Sequence, residues 1–310
     1  MSTGSVERIN WNKLKKSVIK HRYLYIMALP VILYFFIFSY IPMYGVIIAF
    51  QRFSPGLGIW GSEFIGLANF TDFFGSFYFF RLMRNTLLIS FFDILFSFPA
   101  PIFLALLLNE VKSTKFKRTV QTVTYMPHFI SLVVVCGLIR DFSIQNGVLS
   151  EIVYFFTGNK VNLLGRPEYF RPLFVGSNIW QHIGFGSIIF LAAISAIDQE
   201  MYEAAIIDGA SRLRQTWHIT LPSISSTIII LLILRIGNTL NVSAEKIILL
   251  YSPITYETAD VISSFVYRVG LLENNFSYSA AVGLFNSVVN FIMLITANQL
   301  SRKVSESSLW

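Results

Sequence analysis

The chain has 310 residues, of which 54% are hydrophobic, 16% aromatic and only 13% charged, with a mean hydropathy of +0.61. Soluble domains carry about 25% charged residues, so half that level excludes an ordinary water-soluble fold and points to a surface facing lipid. The net charge of +7 has no soluble basic face to sit on, which excludes nucleic acid as a partner, and a single cysteine, Cys136, excludes intrachain disulfides and cysteine-rich metal sites.

Residues 1–23 form a basic segment with Arg8, Lys13, Lys15, Lys16, Lys20 and Arg22. Trp11, Leu14, Val18 and Ile19 fall on one helical face, so two readings stand: an interfacial helix on anionic lipid, or a solvated tail that sets topology. No cleavable signal peptide is evident, because the first apolar run is too long and ends without a small-residue cleavage site. Residues 24–300 hold six apolar runs, near 24–50, 85–109, 121–140, 173–197, 223–243 and 279–300, each about the 20 residues that a spanning helix needs. Pro30, Pro42, Pro99 and Pro101 lie inside these runs and are read as kinks, since neighbours in a membrane re-satisfy the freed carbonyls. The expected class is all-α, a polytopic membrane protein with six transmembrane helices and a short tail at 301–310.

Lys and Arg counts orient the spans. With the N-terminus inside, inner segments hold fourteen and outer loops eight, the latter being Arg52, Arg81, Arg84, Lys160, Arg166, Arg171, Lys246 and Arg268. Both termini are therefore expected in the cytoplasm, along with the loop at 198–222. The outer loops, near 51–84, 141–172 and 244–278, exceed mere turns and read either as a surface for an external partner or as caps on the helix ends.

The loop at 198–222 is a polar island between two apolar runs. Asp198 is placed to cap a short helix through Glu200–Ile207, Gly209 permits the left-handed turn that ends it, and Ser211 can cap a second helix. Pro222 suits the first turn of the next span. Ala204 and Ala205 leave one side small enough for a partner's groove to approach, with Glu203 and Asp208 at its rim. On these grounds alone the island is either a docking element or a re-entrant structural loop.

Its residues decide between them. Glu203-Ala204-Ala205, three residues, Gly209, nine residues, Ile219, one residue, Leu221-Pro222 resembles, with no departure at seven fixed positions, the signature of permease subunits in ABC-type importers. The resemblance extends over nearly the whole chain and is nearest to the polysaccharide or complex-oligosaccharide branch, carried by IPMYGVIIAF (41–50), FPAPIFLALLLNE (98–110), FKRTVQTVTYMPHFIS (116–131), GNTLNV (237–242), YETADVI (256–262) and YRVGLLENNFSYSAAVGLFNSVVN (267–290). It implies the type I importer permease fold, a bacterial cell (inner) membrane location, a second permease subunit, two cytoplasmic ATPases that bind ATP and Mg, and an extracellular or periplasmic solute-binding protein. It also implies that Glu203–Gly209 is the coupling helix seated in an ATPase groove. The chain is expected to bind no cofactor itself and to be no enzyme: it contains no G-x-x-x-x-G-K-[ST] run.

Ionisable residues inside spans cost roughly 2.5–3.5 kcal/mol each and are functional candidates by default. Asp93, Arg140 and Arg235 stand out; Arg140 lies at a span end and can snorkel to the interface. Arg235 lies deeper, with Asn238 and Asn241 following at steps of three, while Asn286 and Asn290 sit four apart on the last span and Asn178, Gln181 and His182 share a face of the fourth. Planar amides and guanidinium groups pair well with adjacent sugar hydroxyls, so Arg235, Asn238, Asn241, Asn286, Asn290 and Gln181 are candidates for the substrate path. Interhelical bridging by the same amides remains open. Arg235 has two further readings: neutralising Asp93, or meeting a uronate carboxylate, which would favour acidic oligosaccharides. His128 and His218 lack partners at metal-ligand spacing and are read as structural, and no catalytic constellation is apparent. An ion-driven secondary transporter is the alternative, but it would carry several carboxylates in its spans, where only Asp93 is found. A membrane enzyme acting on polysaccharide would need clustered acids, and the acids here are scattered.

Overall fold

The computed structural model describes residues 20–237 and 243–305. Helices dominate, and the only strands among the described residues are β1 (Gln51–Arg52) and β2 (Glu63–Phe64), an antiparallel hairpin in which Gln51 faces Phe64. Among the described residues four helices are long and apolar enough to cross a membrane: α1 (Arg22–Phe50), α3 (Tyr78–Glu110), α7 (Pro167–Ser195) and Phe276–Arg302, the apolar part of α13 (Phe276–Ser305). Two bent pairs bring the total to six if each is one span. The first is α4 (Thr114–Phe129) with α5 (Leu132–Ser143); the second is α9 (Arg212–Ser223) with α10 (Ser225–Gly237).

The third predicted run, 121–140, is thus not one straight helix. It turns by 101° between α4 and α5. Pro127 starts a short 3-10 turn, Ile130 is extended, and the Ser131 hydroxyl accepts from the Val134 N–H to begin a new helix. Proline and an N-cap together end one helix and start another.

The prolines inside α1 and α3 do not end those helices, which run on through them. A π-turn precedes Pro42 at Phe36–Tyr40, Pro99 at Asp93–Ser97 and Pro222 at Thr216–Thr220. Proline has no N–H to donate and its ring crowds the carbonyl four residues back. Widening the preceding turn relieves that crowding, as where the Phe98 N–H reaches back to the Asp93 carbonyl at 3.2 Å.

α7 runs through the centre. It packs on α3, α4 and the Asp93–Ser97 turn, and a Cβ at Gly184 would collide with the Thr124 backbone carbonyl, so only glycine allows α4 so close. One apolar core (Ile89, Val135, Ile139, Phe170, Phe174, Ile247) lies at the end of α7 where the helix begins, and another (Ala105, Phe190, Ile194, Ile197, Ile224) at the end that enters the polar loop. A third joins α2 (Ala68–Gly75), α3, α12 (Ile262–Leu272) and α13 through Phe73, Leu82, Phe265 and Val282. Residues 22–43 of α1 bury no side chain against the rest of the described chain, which suits contact with lipid or another subunit, whereas Tyr44–Phe50 packs on α13 with Ala49 fully buried.

The loops at 141–172 and 244–278 are built, not slack: they contain α6 (Val148–Thr157), α11 (Ala244–Leu250) and α12. Asp260, fully buried, accepts from Arg268 at 2.6 and 3.1 Å and from Ser264 at 2.8 Å, with Arg81 of α3 at 3.7 Å. Beside it, buried Asn85 donates to the Glu257 and Asp260 carbonyls and accepts from Arg171. Three of the charges counted in outer loops, Arg81, Arg171 and Arg268, are therefore internal ties.

Candidate functional site

The polar loop folds as two short capped helices. α8 (Gln199–Ile207) begins at Asp198, whose carboxylate accepts from the Glu200 N–H at 3.0 Å. It ends at Gly209 with φ of +74°, where the Ala210 N–H reaches the Ala205 carbonyl at 2.8 Å and the Gly209 N–H reaches Ile206 at 3.0 Å. This pair of bonds is the Schellman closure, and it needs a residue at ease in the left-handed region. Ser211 then accepts from the Arg214 N–H to start α9.

The element is anchored on one side and bare on the other. Ile219 and Tyr202 pack on the core around Ile224, and the Tyr202 hydroxyl lies 2.9 Å from Thr220 Oγ1. Arg212 donates to Glu110 at the end of α3 at 3.1 Å. Leu221 is half-buried and Pro222 exposed at the bend into α10. By contrast Ile207 is 86% exposed and Leu213 70%, with Ile206, Met201 and Trp217 also open. Glu203, Ala204, Asp208 and Gly209 are exposed around them and Ala205 is half-buried. Apolar side chains on a rigid, polar-rimmed helix are the composition of a protein contact.

A second feature lies within the spans. A cavity of about 710 Å³ opens between α3, α7, α10 and α11, lined by Asp93, Asn178, Gln181, His182, Arg235 and Lys246 among others. Arg235 pairs with Asp93 Oδ2, Asn178 Nδ2 donates to Asp93 Oδ1 at 3.0 Å, and Lys246 Nζ donates to Asn178 Oδ1 at 2.7 Å. These four residues form one continuous chain across four helices. Lys246 is 1% exposed and its ammonium sits 5.4 Å from the centre of the Phe174 ring. Burial pulls that ammonium down to about 8, against the attraction of Cys136 and Asp93. Two cations thus share one carboxylate around a polar space.

The predicted substrate-path residues divide. Arg235 and Gln181 line this cavity, and the reading of Arg235 as the partner of Asp93 is what the geometry has. Asn286 and Asn290 are buried on α13 and are not in the cavity wall. Asn238 and Asn241 lie outside the described residues. Arg140 is exposed at the end of α5. His128 stacks on Phe185 at 4.0 Å and meets the His182 ring edge-on, while His218 is exposed and its Nδ1 donates to the Arg214 carbonyl of its own helix at 3.0 Å. Among the described residues no three His, Cys, Asp or Glu side chains gather as a metal site. Lys246 is the residue that sequence reasoning missed. It stands three residues past the predicted end of the fifth span, and its one signal is its place on a short helix whose Ile247 and Leu250 are core residues.

Residues 91–306 match the model of a family described as binding-protein-dependent transport system inner membrane component. The chain is 46% identical to protein LplB of Bacillus subtilis over 303 residues, covering 97% of this chain and 94% of that one. It is also 46% identical over 299 residues to the polygalacturonan/rhamnogalacturonan transport system permease protein YteP of the same organism, covering 96% and 93%. A crystal structure of a bacterial alginate ABC transporter, in complex with an alginate pentasaccharide-bound periplasmic protein, contains a chain that superposes with a TM-score of 0.88. That chain is 42% identical, with 96% of this chain and 100% of that one covered.

Proposed function

The chain belongs to the family of inner membrane components of binding-protein-dependent transport systems, and on that premise we propose that it carries acidic oligosaccharides across the membrane. It is the permease subunit of an ABC importer, a multi-pass membrane protein. The cavity supports that substrate: Arg235 and Lys246 outnumber Asp93 in its wall, and amides beside them suit sugar hydroxyls. Relatives named for polygalacturonan, rhamnogalacturonan and alginate support the same chemistry.

Energy enters through the polar loop. Residues 198–222 face the cytoplasm, as do both termini, and Glu203–Gly209 seats in a groove of a partner ATPase that binds ATP and Mg. A second permease completes the path, a second ATPase pairs with it, and a solute-binding protein delivers sugar to the outer loops. The observation that carries this reading is the asymmetry of the loop. Ile219 and Tyr202 fix it to the permease core, while Ile206 and Ile207 on α8 and Leu213 on α9 are left bare on two capped helices. Such an element transmits a push; a loop that merely joined two spans would bury those side chains or replace them with polar ones.

The test is Glu203→Lys in the assembled importer. ATP hydrolysis is expected to continue while uptake stops, and the subunits are expected to co-purify from wild-type membranes. Normal uptake by the variant, or a wild-type chain that purifies without ATPase subunits, refutes the assignment.

A further inference from the structure

The charges in the cavity are arranged unevenly. Arg235 exposes 48% of its side chain, whereas the Asp93 side chain beneath it exposes 13%. Both Asp93 oxygens are occupied, one by Arg235 and the other by Asn178. Lys246 is buried, yet among the described residues its hydrogen bond goes to the neutral Asn178 rather than to an acid. Gln181, 5% exposed and in the cavity wall, has a buried carbonyl oxygen without a hydrogen-bond partner among the described residues. The space therefore holds one more cation than anion and an acceptor awaiting a donor such as a sugar hydroxyl.

We propose that Asp93 is a built-in stand-in for the carboxylate of the substrate, holding Arg235 until a uronate residue displaces it. The inference rests on the acidic-oligosaccharide reading above and deepens it. A guanidinium can grip a carboxylate by a two-pronged fork, whereas Asp93 offers Arg235 one oxygen and gives the other to Asn178, so a sugar carboxylate arriving at the exposed side of Arg235 can compete with Asp93. The displaced Asp93 is already bonded to Asn178, which is bonded to Lys246. After the exchange the cavity has two cations and two carboxylates, and no buried charge is left without an opposite. A neutral sugar brings no such compensation.

The exchange also explains where the pair sits. Asp93 opens the π-turn that precedes Pro99, and Arg235 lies on α10, which meets α9 of the polar loop at a 60° bend. The ion pair thus ties together two helices that each have a joint. Releasing it on substrate entry frees α10 to move with the loop, and restoring it expels the sugar. An internal competitor keeps the grip weak enough for release.

The test is equilibrium binding of tritiated trigalacturonate, and of its carboxyl-reduced neutral analogue, to the complete complex in nanodiscs. Asp93→Asn removes the competitor and is expected to tighten trigalacturonate about tenfold while moving the neutral trimer less than twofold. Asp93→Glu keeps the competitor and is expected to stay within about threefold of wild type. If Asp93→Asn weakens trigalacturonate, leaves it unchanged, or shifts both trimers alike, the pair is a structural brace and the inference is overturned. Should that variant fail to assemble, Asp93→Asn with Arg235→Gln restores a neutral hydrogen-bonded pair. It is expected to bind both trimers alike, and a retained preference for the acid overturns the inference. A wild-type complex with equal affinity for the two trimers refutes the acidic-substrate reading itself. Preference for the acid without a gain in Asp93→Asn refutes the exchange alone.

Discussion

Gly209 sets the angle between α8 and α9, and a three-member substitution series reads out what that angle does. Its φ of +74° lies in the left-handed region, where an L side chain costs about 1–2 kcal/mol. A Cβ at Gly209 has no atom within 4 Å, so Gly209→Ala meets that backbone cost with no clash added. Asn tolerates the left-handed region better than other residues, so Gly209→Asn is expected to behave nearly as wild type. Gly209→Pro is different in kind. Its ring fixes φ near −65°, it loses the N–H that reaches Ile206 at 3.0 Å, worth about 0.5–1.5 kcal/mol, and it disfavours the near-helical backbone of Asp208. The expected order of sugar imported per ATP hydrolysed is wild type, Asn, Ala, then Pro. Alanine shifts the loop equilibrium by roughly 5–30-fold at 1–2 kcal/mol, and proline abolishes coupling while hydrolysis persists. Reconstituted transport with parallel phosphate release measures the ratio. A proline variant with the wild-type ratio would refute the claim that the loop must hold this angle.

Asp260→Asn leaves Arg268 and Arg81 facing an amide in a buried site; breaking such a pair costs about 3–5 kcal/mol, and the purified complex is expected to unfold at a visibly lower temperature in detergent. Gly184→Val drives a side chain into the Thr124 carbonyl, an overpacking of about 1–3 kcal/mol or more, read as reduced accumulation in the membrane. Lys246 carries its charge below about 8 and loses it above, so trigalacturonate binding is expected to weaken as pH rises through that value. The groups that bear on it are Asp93, Cys136, Arg235 and His182. Lys246→Arg, which stays charged, is expected to abolish the dependence, and a pH profile identical in both proteins would contradict the role given to the lysine.

The polar loop was legible almost residue by residue, because caps and glycine turns are local chemistry: Asp198, Gly209 and Ser211 each do in the structure what their type and place imply. Span existence was legible too, since hydropathy integrates over many residues. The same integration hid the 101° turn at Ile130 and Ser131, although Pro127 and the Ser131 cap are both visible in the sequence. Depth along a helix placed Asp93 and Arg235 at similar levels and made their pairing one of the open readings. Rotation about the helix axis was not available in the same way, which is why Asn286 and Asn290 shared a predicted depth with Arg235 but not its cavity. Lys246 was counted as a loop charge because its position past the end of an apolar run does not reveal that α11 buries it together with Ile247 and Leu250.

In the proposed importer, coupling depends on the bare tip of α8 pressing on a partner ATPase. Ile207→Cys places a thiol at its most exposed point, and the only natural cysteine, Cys136, is buried. With single cysteines placed along the groove of the partner ATPase, oxidative crosslinking is predicted to join the two subunits and to stop uptake until the bond is reduced. A tip that crosslinks to no ATPase cysteine, or a crosslinked importer that still transports at the wild-type rate, contradicts it.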